Sequence, residues 1–324
     1  MCTAINLRKV NNYFGRNLDL EYHYNEEIVI TPSNYRFPFR SDVNCTKKYP
    51  IIGIATVIDE IPLYYDAANI HGLAMAGLNF PGNAIYHPCK EDMNNIAAFE
   101  FIPWILRQCR TVKEARSVLR STNITSESFS ENLKTTDLHW FLSDSKESVV
   151  IEPSESGLRI YDNITDVLTN NPPYPYHVYN LCNYLNLTNS TPSGNFERTL
   201  GLQPYSNGMG GIGLPGDSSS ASRFVRAAFM LSNSACDDTE ESCVSQFFHI
   251  LDTVAHIRGS VLVGDKCEIT QYSCCCNTTK GIYYYKTYEN ARIIAVDMHK
   301  TDFNDCILTR YPLFMKQDIL MLNH

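Results

Sequence analysis

CTAINL at residues 2–7, NYFGRNLD at 12–19 and EIVITP at 27–32 decide the fold of this chain. Each run is rich in β-branched, aromatic and small residues, and turn-prone KVNN and EYHYNE separate them. Such runs, punctuated at that spacing, read as strands joined by tight connections, and tight connections force antiparallel pairing. CTAINL and NYFGRNLD then form a hairpin. Arg16 and Asp19, near the far end of its second strand, come beside Cys2 at the start of the first.

Working outward, YPIIGIATVI, LYYDA and HGLAMAGLNF continue the strand pattern. A helix is expected over 94–107, with Pro103 as a kink or restart, and a second over 111–121. In the second, Thr111 and Glu114 make a capping box, and Val112, Ala115, Val118 and Leu119 form one apolar stripe. Strands resume with LHWFLSD, SVVIEP, GLRIYD and TDVLTN, helices are expected near 175–186, 221–232 and 241–256, and EITQYSCC, KGIYYYKTY and ARIIAVDM close the chain as strands. Tyr283, Tyr284 and Tyr285 in succession indicate a strand covered on both faces. Strands in groups, then helices, then strands again is an α+β pattern. Two antiparallel sheets face to face, each covered by a pair of helices, satisfy it. No composition break divides residues 1–324, so one domain is expected.

With 44% apolar residues the chain has a substantial core, and a net charge of −8 without a basic run argues against nucleic acid as partner. No apolar stretch approaches the roughly 18–20 residues that span a bilayer, so no membrane partner is expected. MCTAINLRKV carries no basic region followed by an apolar block, which predicts a cytoplasmic protein with free thiols despite twelve cysteines. Cys236, Cys243, Cys267 and the triplet Cys274, Cys275 and Cys276 lack the paired spacing of a zinc site, so no metal is expected.

Cys2 stands directly behind Met1. Removal of Met1 is expected before so small a side chain, and it would leave a thiol and a free α-amine on one residue. An α-amine titrates near pH 7.7–8.0, so at about neutral pH it can accept and return a proton. A thiolate is the reactive form of cysteine, and an arginine beside a thiol favours it. By themselves Arg16 and Asp19 read equally well as a surface ion pair. Asn79 in AGLNFPG and Asn170 in VLTNNPP sit at strand exits, each followed within two residues by proline. Amide groups at rigid positions suit an oxyanion hole, although asparagine near proline is also ordinary turn chemistry. GMGGIG at 208–213 matches a dinucleotide-binding fingerprint literally, but no strand leads into it and LPGD follows where a helix would begin.

CTAINL, FGRNLD, AGLNFPG, VLTNNP and LPGDSSSASRFVR, in that order, closely resemble the choloylglycine hydrolases, the bile salt hydrolases and penicillin V acylases of the N-terminal nucleophile superfamily. The likeness runs to KGIYYYKTYEN near the end. It implies a four-layer αββα sandwich and hydrolysis of a non-peptide amide without a cofactor. By motif, Cys2 takes the nucleophile role, Arg16, Asp19, Asn170 and Arg223 complete the catalytic set, and Asn79, Asn170 and Arg16 serve the oxyanion and substrate. None of these six positions departs from the pattern.

The resemblance associates asparagine at position 79 with bile salt hydrolases and tyrosine there with penicillin V acylases. A conjugated bile salt is therefore the expected small-molecule substrate, in a pocket lined by Leu18, Tyr22, Tyr24, Ile58 and Tyr65. Penicillin V or an acyl homoserine lactone remain alternatives within the family. A cysteine-rich metal or redox protein and a non-catalytic steroid-binding module are the readings from other classes. The resemblance also implies a homotetramer, with 188–216 as an extended assembly loop.

Overall fold

The computed structural model describes residues 1–41, 47–192, 196 and 198–323. Its centre is two antiparallel sheets. The six-stranded sheet runs Val167–Leu168, Cys2–Arg8, Asn12–Leu20, Ile269–Asn277, Ile282–Thr287, Asn290–Asp297. The eight-stranded sheet runs Gly157–Asp162, Ser148–Ser154, Leu138–Ser143, Ala74–Asn79, Ile61–Asn69, Ile51–Ile58, Glu27–Thr31, Thr309–Pro312. The amino-terminal hairpin therefore sits inside the first sheet, covered by a strand on either side.

Side-chain alternation divides each strand between two layers. Phe14 meets Phe141 of the other sheet edge-on, ring centroids 5.1 Å apart, a pair worth about 0.5–1.5 kcal/mol beyond its burial. Ile28, Ile30, Ile52, Ile54, Ala76 and Leu78 fill the same layer. Gly15 shows why FGRNLD needs its glycine. A Cβ there would lie 1.9 Å from the carbonyl oxygen of Cys274, so only glycine lets the Ile269–Asn277 strand approach. The tyrosine triplet is covered on both faces: Tyr283 donates to Asp66 of the opposite sheet, while Tyr284 donates to Glu240 of a helix at 2.7 Å.

The helices form the outer layers. Phe101–Leu106 and Val112–Leu119 bury Phe101, Ile105, Val112 and Ala115 against the eight-stranded sheet. Ser220–Ser232 and Glu240–Asp252 lie on the six-stranded sheet as the expected pair, and Tyr174–Asn180 packs against the first of them, with Tyr174 and His177 on Phe224. Thr111 caps its helix as expected, accepting from Glu114 N at 3.1 Å, but the Glu114 carboxylate turns to Arg110 N instead of closing the box.

The helix expected over 94–107 begins only at Phe101. Asn94–Ala97 is a strand, paired in parallel with Thr122–Thr125. Pro103 falls in the first turn of the helix, where a missing N–H costs nothing. TDVLTN contributes only Val167–Leu168 as strand, and the edge strand Thr309–Pro312 was not expected. GMGGIG forms a short 3₁₀ turn, Met209–Gly211. The stretch 188–216 lies partly outside the described residues; its described part exposes Leu200, Leu202 and Tyr205.

Candidate active site

Strand register places the candidate residues. Cys2 pairs with Leu18 and Ala4 with Arg16 on the neighbouring strand, so Cys2, Ala4, Arg16 and Leu18 share the face between the sheets. On the other side Ala4 pairs with Leu168, which carries the chain past Cys2 as it leaves the sheet at Asn170. Cys2 is 2% exposed. The chain described retains Met1, so the nitrogen of residue 2 is a peptide amide. It donates to Asn170 Oδ1 at 2.8 Å.

Asn170 connects three layers. Its Oδ1 also accepts from Arg223 Nη2 at 2.9 Å, and its Nδ2 donates to the carbonyl of Asn79 at 2.8 Å. Its backbone is held as well: its N–H donates to Ser220 Oγ at 2.8 Å, and its carbonyl pairs with His177 Nε2 at 2.9 Å. Burial pushes the His177 imidazole down to about 4, so the ring is neutral near pH 7. Asn170 is absent from the cavity wall described below. Its amide bonds Cys2, Arg223 and Asn79, an arrangement that positions all three, and Nδ2 uses one of its two N–H donors on Asn79.

The serine run before Arg223 has a structural use. Ser218 accepts from Arg223 Nε through its carbonyl at 3.0 Å, Ser219 caps the helix, and Ser220 holds Asn170. Arg223 itself is fully buried, and its Nη1 donates to the Cys2 carbonyl at 2.5 Å and Thr3 Oγ1 at 2.6 Å. Burial lowers its pKa, with Asp19, Cys2 and Glu268 opposing.

Arg16 spans the gap between the sheets. Its Nη1 donates to the carbonyls of Gly77 at 2.5 Å and Tyr65 at 3.1 Å, while Nη2 is buried without a hydrogen-bond partner. Burial disfavours its charge, but Cys2, Tyr272, Asp66 and Cys274 outweigh it and leave the pKa raised. Asp19 lies at the amino end of the site. Its N–H donates to the Met1 carbonyl at 2.9 Å, its Oδ1 accepts from Thr270 at 2.6 Å, and its Oδ2 is buried unpartnered. The Met1 amine donates to the Asp19 carbonyl at 2.7 Å and lies 3.0 Å from Glu268. Glu268 is held below the usual carboxylate range: burial would raise it, but His256 and the chain amine prevail.

A cavity of about 290 Å³ opens on Cys2 between the sheets. Cys2, Arg16 and Asn79 stand in its wall, and Leu18, Tyr24, Ile58 and Tyr65 line it as expected from sequence. Tyr22 does not. It stands half exposed in the turn beyond the second strand, with Lys266 Nζ 3.9 Å over its ring. Leu20, Leu63, Phe99, Phe129, Leu133 and Leu138 add apolar wall, Thr56, Lys134, Thr135 and Thr136 add polar groups, and sequence reasoning missed all of them. Phe129 and Leu133 belong to an irregular loop without periodicity, so no pattern pointed to them.

Asp66 was also missed. It is buried behind Arg16, accepting from Tyr272 at 2.7 Å, from Tyr283, and from the Cys274 thiol at 3.4 Å. Burial raises its pKa, although Arg16 and those donors oppose. The available signal was an acid in an otherwise apolar strand, LYYDA. Among the described residues no group of three or more His, Cys, Asp or Glu side chains is placed to hold a metal ion.

A cysteine at a strand end, backed by two buried arginines and opening on an apolar cavity, is equipped for acyl transfer through sulfur. Comparison with known proteins finds amide hydrolases. Residues 2–309 match the model of linear amide C–N hydrolases, choloylglycine hydrolase family. The chain is 49% identical over 314 residues to a bile salt hydrolase/transferase of Lactiplantibacillus plantarum, covering 97% of both. It is 38% identical over 336 residues to a protein of that name from Clostridium perfringens, covering 100% of this chain and 99% of that one. The crystal structure of a mutant conjugated bile acid hydrolase from Clostridium perfringens superposes with a TM-score of 0.89 at 36% identity, over 100% of each chain. Penicillin V acylase from Agrobacterium tumefaciens, at 17% identity and TM-score 0.75, covers 96% of this chain and 90% of that one and shares the fold.

The fold is thus that of the N-terminal nucleophile hydrolases, and the protein is a hydrolase of linear amide C–N bonds. Among these, the chain belongs to the choloylglycine hydrolase family.

Proposed function

We propose that the protein is a bile salt hydrolase that splits glycine or taurine from conjugated bile acids through a Cys2 thioester. The observation that carries this reading is Cys2 itself, fixed through Asn170 and Arg223 in the wall of a largely apolar cavity it shares with Arg16 and Asn79. An apolar cleft with few polar anchors suits a steroid acid joined to a polar amine. The names of the relatives point the same way.

The mechanism begins with loss of Met1. The freed Cys2 amine takes the thiol proton, and sulfur attacks the amide carbonyl. Asn79, in the cavity wall, and Asn170, through its second amide N–H, donate to the oxygen as negative charge develops there. Asp19 Oδ2, unpartnered beside the first peptide, is the acceptor available to orient the amine. The carbonyl re-forms, the C–N bond breaks, and glycine or taurine leaves with the proton the Cys2 amine returns. Water, deprotonated by the same amine, attacks the thioester and frees the bile acid and the thiol. Arg223 and Asn170 hold the nucleophile, and no cofactor enters. The same reading makes the chain one domain working in the cytoplasm as a homotetramer, with the 188–216 segment in assembly.

Amine release from glycocholate and taurocholate, against penicillin V, tests the assignment. Release of glycine or taurine that is abolished by iodoacetamide supports it. Cleavage of penicillin V alone, or binding of taurocholate without release of taurine, would sink it.

A further inference from the structure

Two cysteines away from the cavity face each other at the start of a helix. Cys236 lies in the turn that leads to Glu240–Asp252 and Cys243 in that helix, with their sulfurs 3.6 Å apart and neither bonded to another cysteine. Both ends of the pair are held. The Cys243 thiol donates to the carbonyl of Asp237 at 3.3 Å, Asp237 N–H donates to Ser242 Oγ at 3.1 Å, and Thr239 caps the helix. Cys236 packs on the core at intermediate exposure, and Cys243 is buried behind it. One thiol is reachable and the second waits beside it, the arrangement that thiol–disulfide exchange requires.

We infer that Cys236 and Cys243 form a reversible intramolecular disulfide, a modification site separate from the amide-cleaving centre and independent of the reading given to it. The oxidant is a low-molecular-weight disulfide. The Cys236 thiolate attacks one sulfur of that disulfide, forms a mixed disulfide and releases one small thiol. The Cys243 thiolate then attacks Cys236 sulfur and releases the second small thiol. Two protein thiols lose two electrons and two protons, and the small disulfide gains them. The bridge ties the turn at 236–239 to the first helical turn and closes a short loop in the unfolded chain. The helix so fastened supports the six-stranded sheet, because the carbonyl of Leu251 accepts from Asn17 at 2.9 Å.

The sequence supplies a direct readout. No lysine or arginine lies between Arg226 and Arg258, so trypsin releases residues 227–258 with both cysteines and no other. Purified full-length protein is equilibrated with oxidised glutathione, acid-quenched and alkylated with iodoacetamide under denaturing conditions. The expected peptide has lost two hydrogens and carries no alkyl group, while exposed Cys89, Cys182 and Cys306 carry glutathione. The melting temperature rises by about 2–5 °C over the reduced protein, and Cys236→Ser removes that rise. A peptide alkylated at both positions while the exposed cysteines are glutathionylated, or a lasting glutathione adduct on Cys236, overturns the inference.

Discussion

Asn170 holds Cys2 to the opposite sheet: its Oδ1 accepts from the Cys2 nitrogen and its Nδ2 donates to the carbonyl of Asn79, both at 2.8 Å. Asn79 ends its strand beside the cavity and Cys2 begins its own, so one side chain fixes how far apart the nucleophile and the expected oxyanion donor sit. Arg223 shares the same oxygen and grips the Cys2 carbonyl. A hydrophobic fold alone sets such spacing loosely, whereas bridging hydrogen bonds set it to tenths of an ångström.

Asn170→Ala is expected to lower kcat about 100-fold, because the nucleophile loses its alignment. It also leaves the Cys2 nitrogen, Arg223 Nη2 and the Asn79 carbonyl without this partner, at a cost in stability of roughly 1–3 kcal/mol. Steady-state kinetics and urea unfolding on one preparation check both. Unchanged kcat in a destabilised protein would reduce Asn170 to a purely structural role.

Protein that keeps Met1, prepared by blocking its removal, is expected to be inactive although folded, since its Cys2 nitrogen is an amide that cannot serve as base. Cys2→Ala is expected to lose about 10⁴-fold or more in turnover while still melting later with taurocholate present. Intact mass, amine release and thermal shift separate these outcomes, and full activity in Met1-bearing chains would refute the general-base assignment.

Asp66 is a carboxylate placed where burial opposes its charge, which means the folded state retains a proton on it more readily than the unfolded chain. The sign follows: as pH rises through its folded-state titration, Asp66 takes stability away, and at pH 7 that cost is present. Asp66→Asn removes the cost, so its unfolding free energy at pH 7 should equal or exceed that of the parent. It also removes the carboxyl whose ionised form offsets the Arg16 charge, so iodoacetamide should alkylate Cys2 roughly 3- to 10-fold faster than in the parent at pH values where Asp66 is ionised. Slower alkylation together with lost stability would mark Asp66 as packing only.

What the residues disclosed in advance divides along a physical line. Alternation and turn chemistry are local, so CTAINL, NYFGRNLD and their successors were readable as strands, and Thr111 as a cap. The Asn94–Ala97 strand was misread because its partner, Thr122–Thr125, lies a helix pair away and pairs in parallel. Cys2, Arg16, Asn79 and Arg223 were legible through motifs, and the structure brings them within one site. Tyr22 was not separable from Tyr24, since two residues apart on a turn carry no fixed side. Asp66 and His177 work only through contacts between sheets or layers that no short window of sequence contains. The same holds for the way Asn170 divides its hydrogen bonds.

His177 supplies a prediction in pH. Its ring is stacked on Phe224 at 4.7 Å and bonded to the Asn170 carbonyl, and burial sets its titration at about 4, against about 6.5 when unfolded. Below 6.5 the unfolded chain therefore binds a proton that the folded chain refuses. Stability falls as the pH drops from about 6.5 to about 4, and the loss flattens once both states are protonated. The full drop attributable to this group is about 3 kcal/mol. His177→Gln keeps a donor for the Asn170 carbonyl but cannot titrate, so the difference in urea-unfolding free energy between pH 7 and pH 4.5 should shrink by most of that amount. An equal pH dependence in the variant and the parent would show that His177 is solvated in the folded protein and that another group drives the acid limb.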